Sequence, residues 1–338
     1  MKKIIPFLSI VLMLLFISCD SDDNIDNSEN QNSIDVYVSG SMNGNACYYK
    51  NDELVLLDNN GLSSTYASKI FVNNNIYTFG GGYDGPQQQS TFSNLLWTNG
   101  IVTDLNVAYS DSDFELFLIS DFYVYNDDVY FVGYLRNISN PSQIDMVYWK
   151  NGVKTTIIQN TTYDGNSPSL IVSNDDVYVY LKNANNEYEI FINNIFYPIS
   201  QNYGAVRMAT KNSEVYIFGQ ILSSSDGFYY NINTGVETIT PFFVNRLVVD
   251  NDDIYTLALY SGGSFLEKIL KNNNLYYQTP AEFIVDDFFV IDNTLYSIER
   301  NLDNGPQIVF ANNLPIVTLN NPTSYSDSFL GDIYVVQN

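Results

Sequence analysis

Apolar and polar positions along this chain alternate in short bursts, not at helical spacing, and one burst recurs eight times. An acidic or polar residue is followed by Val, Ile or Leu, then Tyr, then further β-formers. The copies are Asp35-Val36-Tyr37, Asn75-Ile76-Tyr77, Asp128-Val129-Tyr130, Asp176-Val177-Tyr178, Glu214-Val215-Tyr216, Asp253-Ile254-Tyr255, Thr294-Leu295-Tyr296 and Asp332-Ile333-Tyr334. Successive tyrosines lie 40, 53, 48, 38, 39, 41 and 38 residues apart, mostly close to the period of a four-stranded propeller blade.

Between consecutive Tyr strands stands a second unit, two apolar runs joined by a tight Asn-rich turn. Its copies centre on Lys50-Asn51-Asp52, Thr98-Asn99-Gly100, Lys150-Asn151-Gly152, Ile192-Asn193-Asn194, Tyr230 to Gly235, Lys271-Asn272-Asn273 and Ala311-Asn312-Asn313. Asn and Gly tolerate the positive φ of two-residue turns, so each unit is predicted to be a β-hairpin. Ahead of most Tyr strands lies another apolar run, such as Phe122–Tyr125 or Leu247–Val249, joined to it by the turn formers Asn and Asp. Two hairpins per period make a four-stranded blade. Val129-Tyr130-Phe131-Val132 is apolar on both faces, as a sheet covered on both sides requires. The predicted fold is all-β, a β-propeller over residues 34–338 with seven four-stranded blades, eight being the alternative count. The ring is expected to close by joining a C-terminal hairpin, near Ser326 to Gln337, to the outer hairpin Ala46 to Leu57, which removes exposed sheet edges. Nothing after the N-terminal segment reads as a helix.

Ile76-Tyr77-Thr78-Phe79-Gly80-Gly81 resembles the strand and double glycine of a kelch repeat. No other copy has both glycines, so the wider resemblance is to degenerate propellers of kelch or WD40 architecture. It implies a fold and no particular chemistry.

The N-terminus reads differently. Lys2 and Lys3 precede an apolar run from Ile4 to Ile17, then Ser18 and Cys19, the order of a secretory signal, and the run is short for a spanning helix. Leu15-Phe16-Ile17-Ser18-Cys19 resembles the lipobox of bacterial lipoproteins, with Phe16 where Leu is usual. The resemblance implies lipidation of Cys19 after removal of residues 1–18. Residues 20–33 hold five acids and no base and are expected to form a solvated tether. Asp20, Asp22 and Asp23, directly after the cysteine, resemble the surface-export signals of Bacteroidota lipoproteins. That implies an outer-membrane lipoprotein displayed at the cell surface, with a periplasm-facing protein as the alternative.

The chain carries 14 basic and 38 acidic residues, a formal charge of −24. Nucleic acid is therefore not an expected partner, because binding phosphates needs clustered Lys and Arg. The negative field also disfavours polyanionic ligands. Histidine is absent, which excludes Ser-His-Asp and Cys-His catalysis and histidine metal sites. Cys47, in the apolar run Ala46-Cys47-Tyr48-Tyr49, reads as a buried thiol. No cofactor is expected. Asp127-Asp128, Asp175-Asp176 and Asp252-Asp253 suggest calcium only weakly, since they sit where turns are needed and lack an EF-hand spacing. Trp97 and Trp149 are candidate sugar platforms, but they occupy the repeat position held elsewhere by Tyr49, Phe191 and Phe310, which favours blade packing.

Nine residues before each Tyr stand Ser68, Asp121, Ser169, Arg207, Arg246, Asp287 and, in the last copy, Tyr325 or its neighbour Ser326. In a propeller the innermost strand lines the central channel, so this register predicts a polar ring there. Asp121, Arg207, Arg246 and Asp287 are the candidate ligand-binding residues. The arginines would grip a carboxylate or sugar hydroxyls, or else pair with the aspartates to satisfy the channel wall. The expected function is a non-catalytic, lipid-anchored binding scaffold for a protein or glycan. Alternatives are a glycoside hydrolase using Asp121 and Asp287 as its carboxylate pair and a structural envelope component.

Overall fold

A computed structural model describes residues 33–85, 91–161, 163, 167–183, 185, 187–259, 267–303, 305–320 and 328–338. Cys19, the signal-like segment, residues 20–32 of the acidic tether, Tyr325 and Ser326 lie outside the described residues. Among those described, seven antiparallel sheets of four strands form a seven-bladed β-propeller. The innermost strands are β4 (Ser64–Val72), β8 (Phe114–Tyr125), β12 (Ser169–Ser173), β16 (Tyr203–Lys211), β20 (Phe243–Asp250), β24 (Phe283–Ile291) and β28 (Phe329–Gln337).

The ring shuts differently from the expectation. The closing sheet runs β28, β1 (Ile34–Met42), β2 (Asn45–Lys50), β3 (Glu53–Leu56). One C-terminal strand, not a hairpin, joins three N-terminal strands. Tyr37 therefore has the second-strand position of the other repeat tyrosines, while Tyr334 lies on an innermost strand. A single helical turn, α1 (Leu105–Ala108), capped by the Asp104 carboxylate on the amides of Asn106 and Val107, interrupts the all-strand pattern. Among the described residues no helix is long and apolar enough to cross a membrane.

The recurring Asn and the recurring Asp prove to be two halves of one device. Asn51, Asn99, Asn151, Asn193, Asn272 and Asn312 sit at φ between 45° and 56°, a left-handed conformation Asn adopts at small cost. From there Asn151 Oδ1 accepts the Val129 amide at 2.8 Å, and its Nδ2 donates to Asp128 at 2.6 Å. The same double bond ties Asn51 to Val36 and Asp35, Asn99 to Ile76 and Asn75, Asn193 to Val177 and Asp176, and Asn272 to Ile254 and Asp253. Each outer turn thus clamps the start of its blade's second strand. Lys50, Lys150 and Lys271 add ion pairs of 2.9, 2.7 and 2.7 Å to Asp35, Asp128 and Asp253 and lie over the rings of Tyr37, Tyr130 and Tyr255. The lysine and asparagine bonds hold the Asp128 carboxyl below its ordinary range. Asp35, Asp128, Asp176 and Asp253, each ahead of its Tyr strand, are the receiving ends of the clamp, beyond their value in a turn.

The apolar sequence between clamps fills the seams. Seven clusters of buried side chains are found, one at each junction between neighbouring blades. Cys47 is buried in the junction at the closing blade, where burial pushes its thiol up to about 12. Trp97 and Trp149 are 0% and 2% exposed. Trp97 donates to the Asp58 carbonyl at 2.7 Å, and Trp149 stacks on Tyr109 at 5.1 Å, so both are packing residues and unavailable as sugar platforms.

At the junction of the sixth and seventh blades the Glu267 carboxylate accepts the Val285 amide. Burial first of all, with smaller contributions from Asp286 and Glu299, pushes this carboxyl up to about 7, against the opposing pull of the Val285 amide and Arg300. A folded-state value above the ordinary 4.5 means that the folded protein binds the proton more tightly than the unfolded chain. Stability is then lost as pH rises through that window.

Two outcomes are expected. Asn151→Ala, which loses both clamp bonds and strains the positive φ, should destabilise by about 1–3 kcal/mol in urea denaturation, with Asn151→Gly intermediate because it relieves only the strain. Glu267→Gln should lose less stability than the parent between pH 5 and pH 8, by about 1–3 kcal/mol. Parallel pH profiles of the two proteins would refute the second.

Candidate functional site in the central channel

In five blades the ladder between the innermost and second strands slips, between Ala67 and Lys69, Ile119 and Asp121, Gly204 and Arg207, Val244 and Arg246, and Val285 and Asp287. A bulge bends the strand and re-aims the next side chain. Here that side chain is the charged one. Gly133 shows why the partner strand must be lean at such a place, because a Cβ there would stand 2.1 Å from the Leu118 carbonyl oxygen.

The result is a ring of seven positions, one from each innermost strand, all but Asp287 bordering a cavity of about 630 Å³. Going round, these are Lys69, Asp121, Ser169, Arg207, Arg246, Asp287 and Asp332. Three carboxylates fix the register by reaching to the next blade. Asp121 accepts the Leu170 amide at 2.8 Å, Asp287 the Ile333 amide at 3.2 Å and Asp332 the Ile70 amide at 3.0 Å. These repeated bonds place Lys69 and Asp332 in the ring as the counterparts of Ser169 and Asp287.

All four candidate residues are thus brought together, and the tyrosine count misses two members. The hairpin after β4 is one residue shorter than the others, since Phe71 pairs with Tyr77 where Tyr123 pairs with Tyr130, so Lys69 stands eight residues before its tyrosine and counting back nine lands on the bulged Ser68. The last copy was anchored on Tyr334, which belongs to the innermost strand. A visible signal marks both missed residues. Lys69-Ile70-Phe71-Val72 and Asp332-Ile333-Tyr334-Val335 share the pattern of Asp121-Phe122-Tyr123-Val124 and Asp287-Phe288-Phe289-Val290.

The charges are unequally satisfied. Asp121 is saturated, bonded to Lys69 Nζ, Ser169 Oγ and the amides of Phe122 and Leu170. Arg246 Nε is 3.0 Å from Asp287 and its Nη2 3.6 Å from Asp332. The first contact is close but misaligned, since Nε is buried without a well-directed acceptor; Ser120 Oγ, on the cavity wall, is likewise unpartnered. Burial drives the Asp287 carboxyl well above its usual range, the Arg246 charge opposing and the hydrogen-bonded Asp332 carboxyl reinforcing the shift. Arg246 itself is shifted up: burial acts against its charge but is outweighed by Asp287, Asp332 and Asp121.

Arg207 stands apart. Its Nη1 donates to the carbonyl and side-chain oxygens of Asn245 at 2.7 and 2.8 Å, but among the described residues no carboxylate pairs with it. Arg207 is exposed to the cavity, yet partial loss of solvent in the channel, followed by repulsion from Arg246, lowers its affinity for its proton. The ring holds three cations and three carboxylates, and among the described residues its carboxylate contacts are made by Lys69 and Arg246, not by Arg207. Among the described residues no group of three acidic or thiol side chains is placed to hold a metal ion.

Two residues further along each innermost strand a second layer lines the same cavity, with Phe71, Tyr123, Ile171, Ala209, Val248, Phe289 and Tyr334. Four aromatic members form an arc, with ring centroids 5.2 Å apart for Phe71 and Tyr123, 5.8 Å for Phe71 and Tyr334, and 5.6 Å for Phe289 and Tyr334. Ala209 and Val248 face the cavity from the strands that carry Arg207 and Arg246.

No protein-family profile matches the sequence, and no curated protein matches it. Solved structures similar to it include a protein assigned as a 6-phosphogluconolactonase from Bacteroides uniformis, 12% identical, covering 90% of this chain and 99% of that one with a TM-score of 0.49. AofleA from Arthrobotrys oligospora is 9% identical over 90% and 92% of the two chains, with a TM-score of 0.39. An α-L-arabinofuranosidase from Clostridium thermocellum is 11% identical over 63% and 96%, with a TM-score of 0.31. Enzymes among these neighbours overturn the expectation of a non-catalytic chain, which treated a propeller without histidine as evidence against catalysis. At such identities the likeness extends to the fold alone.

Proposed function

We propose that this chain is an envelope-anchored binding propeller whose central channel receives a ligand by its carboxylate, carried on a free acid, a glycan or a protein. The observation that carries the reading is Arg207, a guanidinium in the channel wall without a carboxylate partner among the described residues, in a ring where Lys69 and Arg246 have theirs. A guanidinium suits bidentate recognition of a carboxylate. A single guanidinium without a carboxylate partner fits a monoanion. The bonds of Asp121 and the engagement of Asp287 by Arg246 and Ile333 hold the wall around Arg207 in place. In this reading Cys19 carries the lipid that holds the protein at the outer membrane, with the acidic segment as its tether.

Two measurements test it. Titration calorimetry of the chain with glucuronate, phenylacetate and their uncharged amides should show binding of at least one acid and of neither amide, with affinity reduced about tenfold or more in Arg207→Gln, a loss of about 1.4 kcal/mol or more. Binding of the amides equal to that of the acids, or indifference to Arg207→Gln, would sink the reading of the site. Metabolic labelling with a radioactive fatty acid should mark the protein, and Cys19→Ala should abolish the label. Labelling that persists in Cys19→Ala would sink the anchor.

A further inference from the structure

The ring explains a charge but not the wall beyond it. Side chains two residues apart on a strand share a face and are separated by about 6.6 Å, so the second layer continues the path that a ligand held at Arg207 would follow. That layer is apolar. Phe71, Tyr123, Val248, Phe289 and Tyr334 are only half-buried, and the surface they leave open faces the cavity. Apolar surface lining a cavity of ligand size, with a few polar groups at one level, is the usual make-up of a small-molecule site.

The layer is also lopsided. The aromatic arc occupies the blades of Tyr123, Phe71, Tyr334 and Phe289, whereas the strand of Arg207 contributes Ala209 at this level and the strand of Arg246 contributes Val248. The space therefore opens beneath the arginines and is faced by aromatic rings across the channel. A body entering below Arg207 meets ring faces and edges, with Lys211 lining the cavity farther along the same strand. Overall charge limits the ligand from the other side, because a chain of formal charge −24 repels polyanions, while one guanidinium of the ring, Arg207, lacks a carboxylate partner among the described residues.

Building on the carboxylate reading above, we propose that the ligand is an amphipathic monocarboxylic acid, its head on Arg207 and an apolar, ring-bearing or branched body inserted over Ala209 against the arc of Phe71, Tyr123, Phe289 and Tyr334. Ala209 sets the room for that body, and the aromatic arc sets its preference for a flat or branched hydrocarbon over a sugar.

The test is titration calorimetry on the full chain with 4-phenylbutyrate, phenylacetate, glucuronate and 4-phenylbutyramide, on the parent, Arg207→Gln and Ala209→Phe. The parent should bind 4-phenylbutyrate about tenfold or more tightly than glucuronate, and the amide should bind about tenfold or more weakly than its acid. Arg207→Gln should weaken every acid, whereas Ala209→Phe should weaken 4-phenylbutyrate about tenfold and leave glucuronate within about threefold. Glucuronate binding as well as the aryl acids would overturn this inference and leave the carboxylate reading standing. No binding of any acid would overturn both. Should Ala209→Phe fail to fold, judged by its melting transition, the ranking of the four compounds on the parent chain decides alone.

Discussion

Everything in this molecule hangs on the grip of one amide side chain. An outer hairpin turn needs left-handed backbone, asparagine provides it, and the same asparagine spends its two polar atoms on the amide and the acidic side chain that begin the neighbouring strand. Turn conformation, strand register and the acidic repeat residue are thereby solved together. In the blades where lysine precedes the asparagine, an ion pair and an aromatic ring are recruited as well. With the outer edge of the blade fixed, the inner edge is free to carry irregularities. The bulges that turn charged side chains into the channel are set in sheets already pinned from the other side.

A second kind of bond works at the centre. Asp121, Asp287 and Asp332 each accept a backbone amide from the next blade, so these carboxylates join neighbouring blades where the seams converge. Their role in holding the ring together and their role in setting its charge cannot be separated. Removing one leaves a buried amide without its acceptor and also changes the balance around Arg207. Arg246, shared between two carboxyls, buffers that balance, while Arg207 is tied only to neutral oxygens of Asn245 and keeps its charge available.

Much of this was legible in the chain. Spacing of the Tyr strands and the Asn turns led to seven four-stranded blades, and a count back from the tyrosines found Asp121, Ser169, Arg207, Arg246 and Asp287. What escaped did so for local reasons. A hairpin one residue shorter than the others, joining Phe71 to Tyr77, displaces the count onto Ser68. Asp332-Ile333-Tyr334 imitates the second-strand motif because both strand types need a polar residue followed by β-formers, and only pairing across the whole chain distinguishes them. The inference from missing histidine to missing catalysis failed for another reason: composition removes particular mechanisms, while a scaffold admits many. The ring's misaligned Arg246 contact depends on side-chain angles that no repeat alignment contains.

The closing blade gives the molecule an order of events. Six sheets are assembled from strands contiguous in the chain, so their contacts are local and can form early, whereas β28 must find β1 across nearly the whole propeller sequence, and such long-range pairing is slow. Asp332 and Tyr334 travel on that last strand. The charged ring and the aromatic arc are therefore both broken until it docks. A partly assembled chain can possess most of its blades and still have no receptor, so ligand capture would report that the circle has shut.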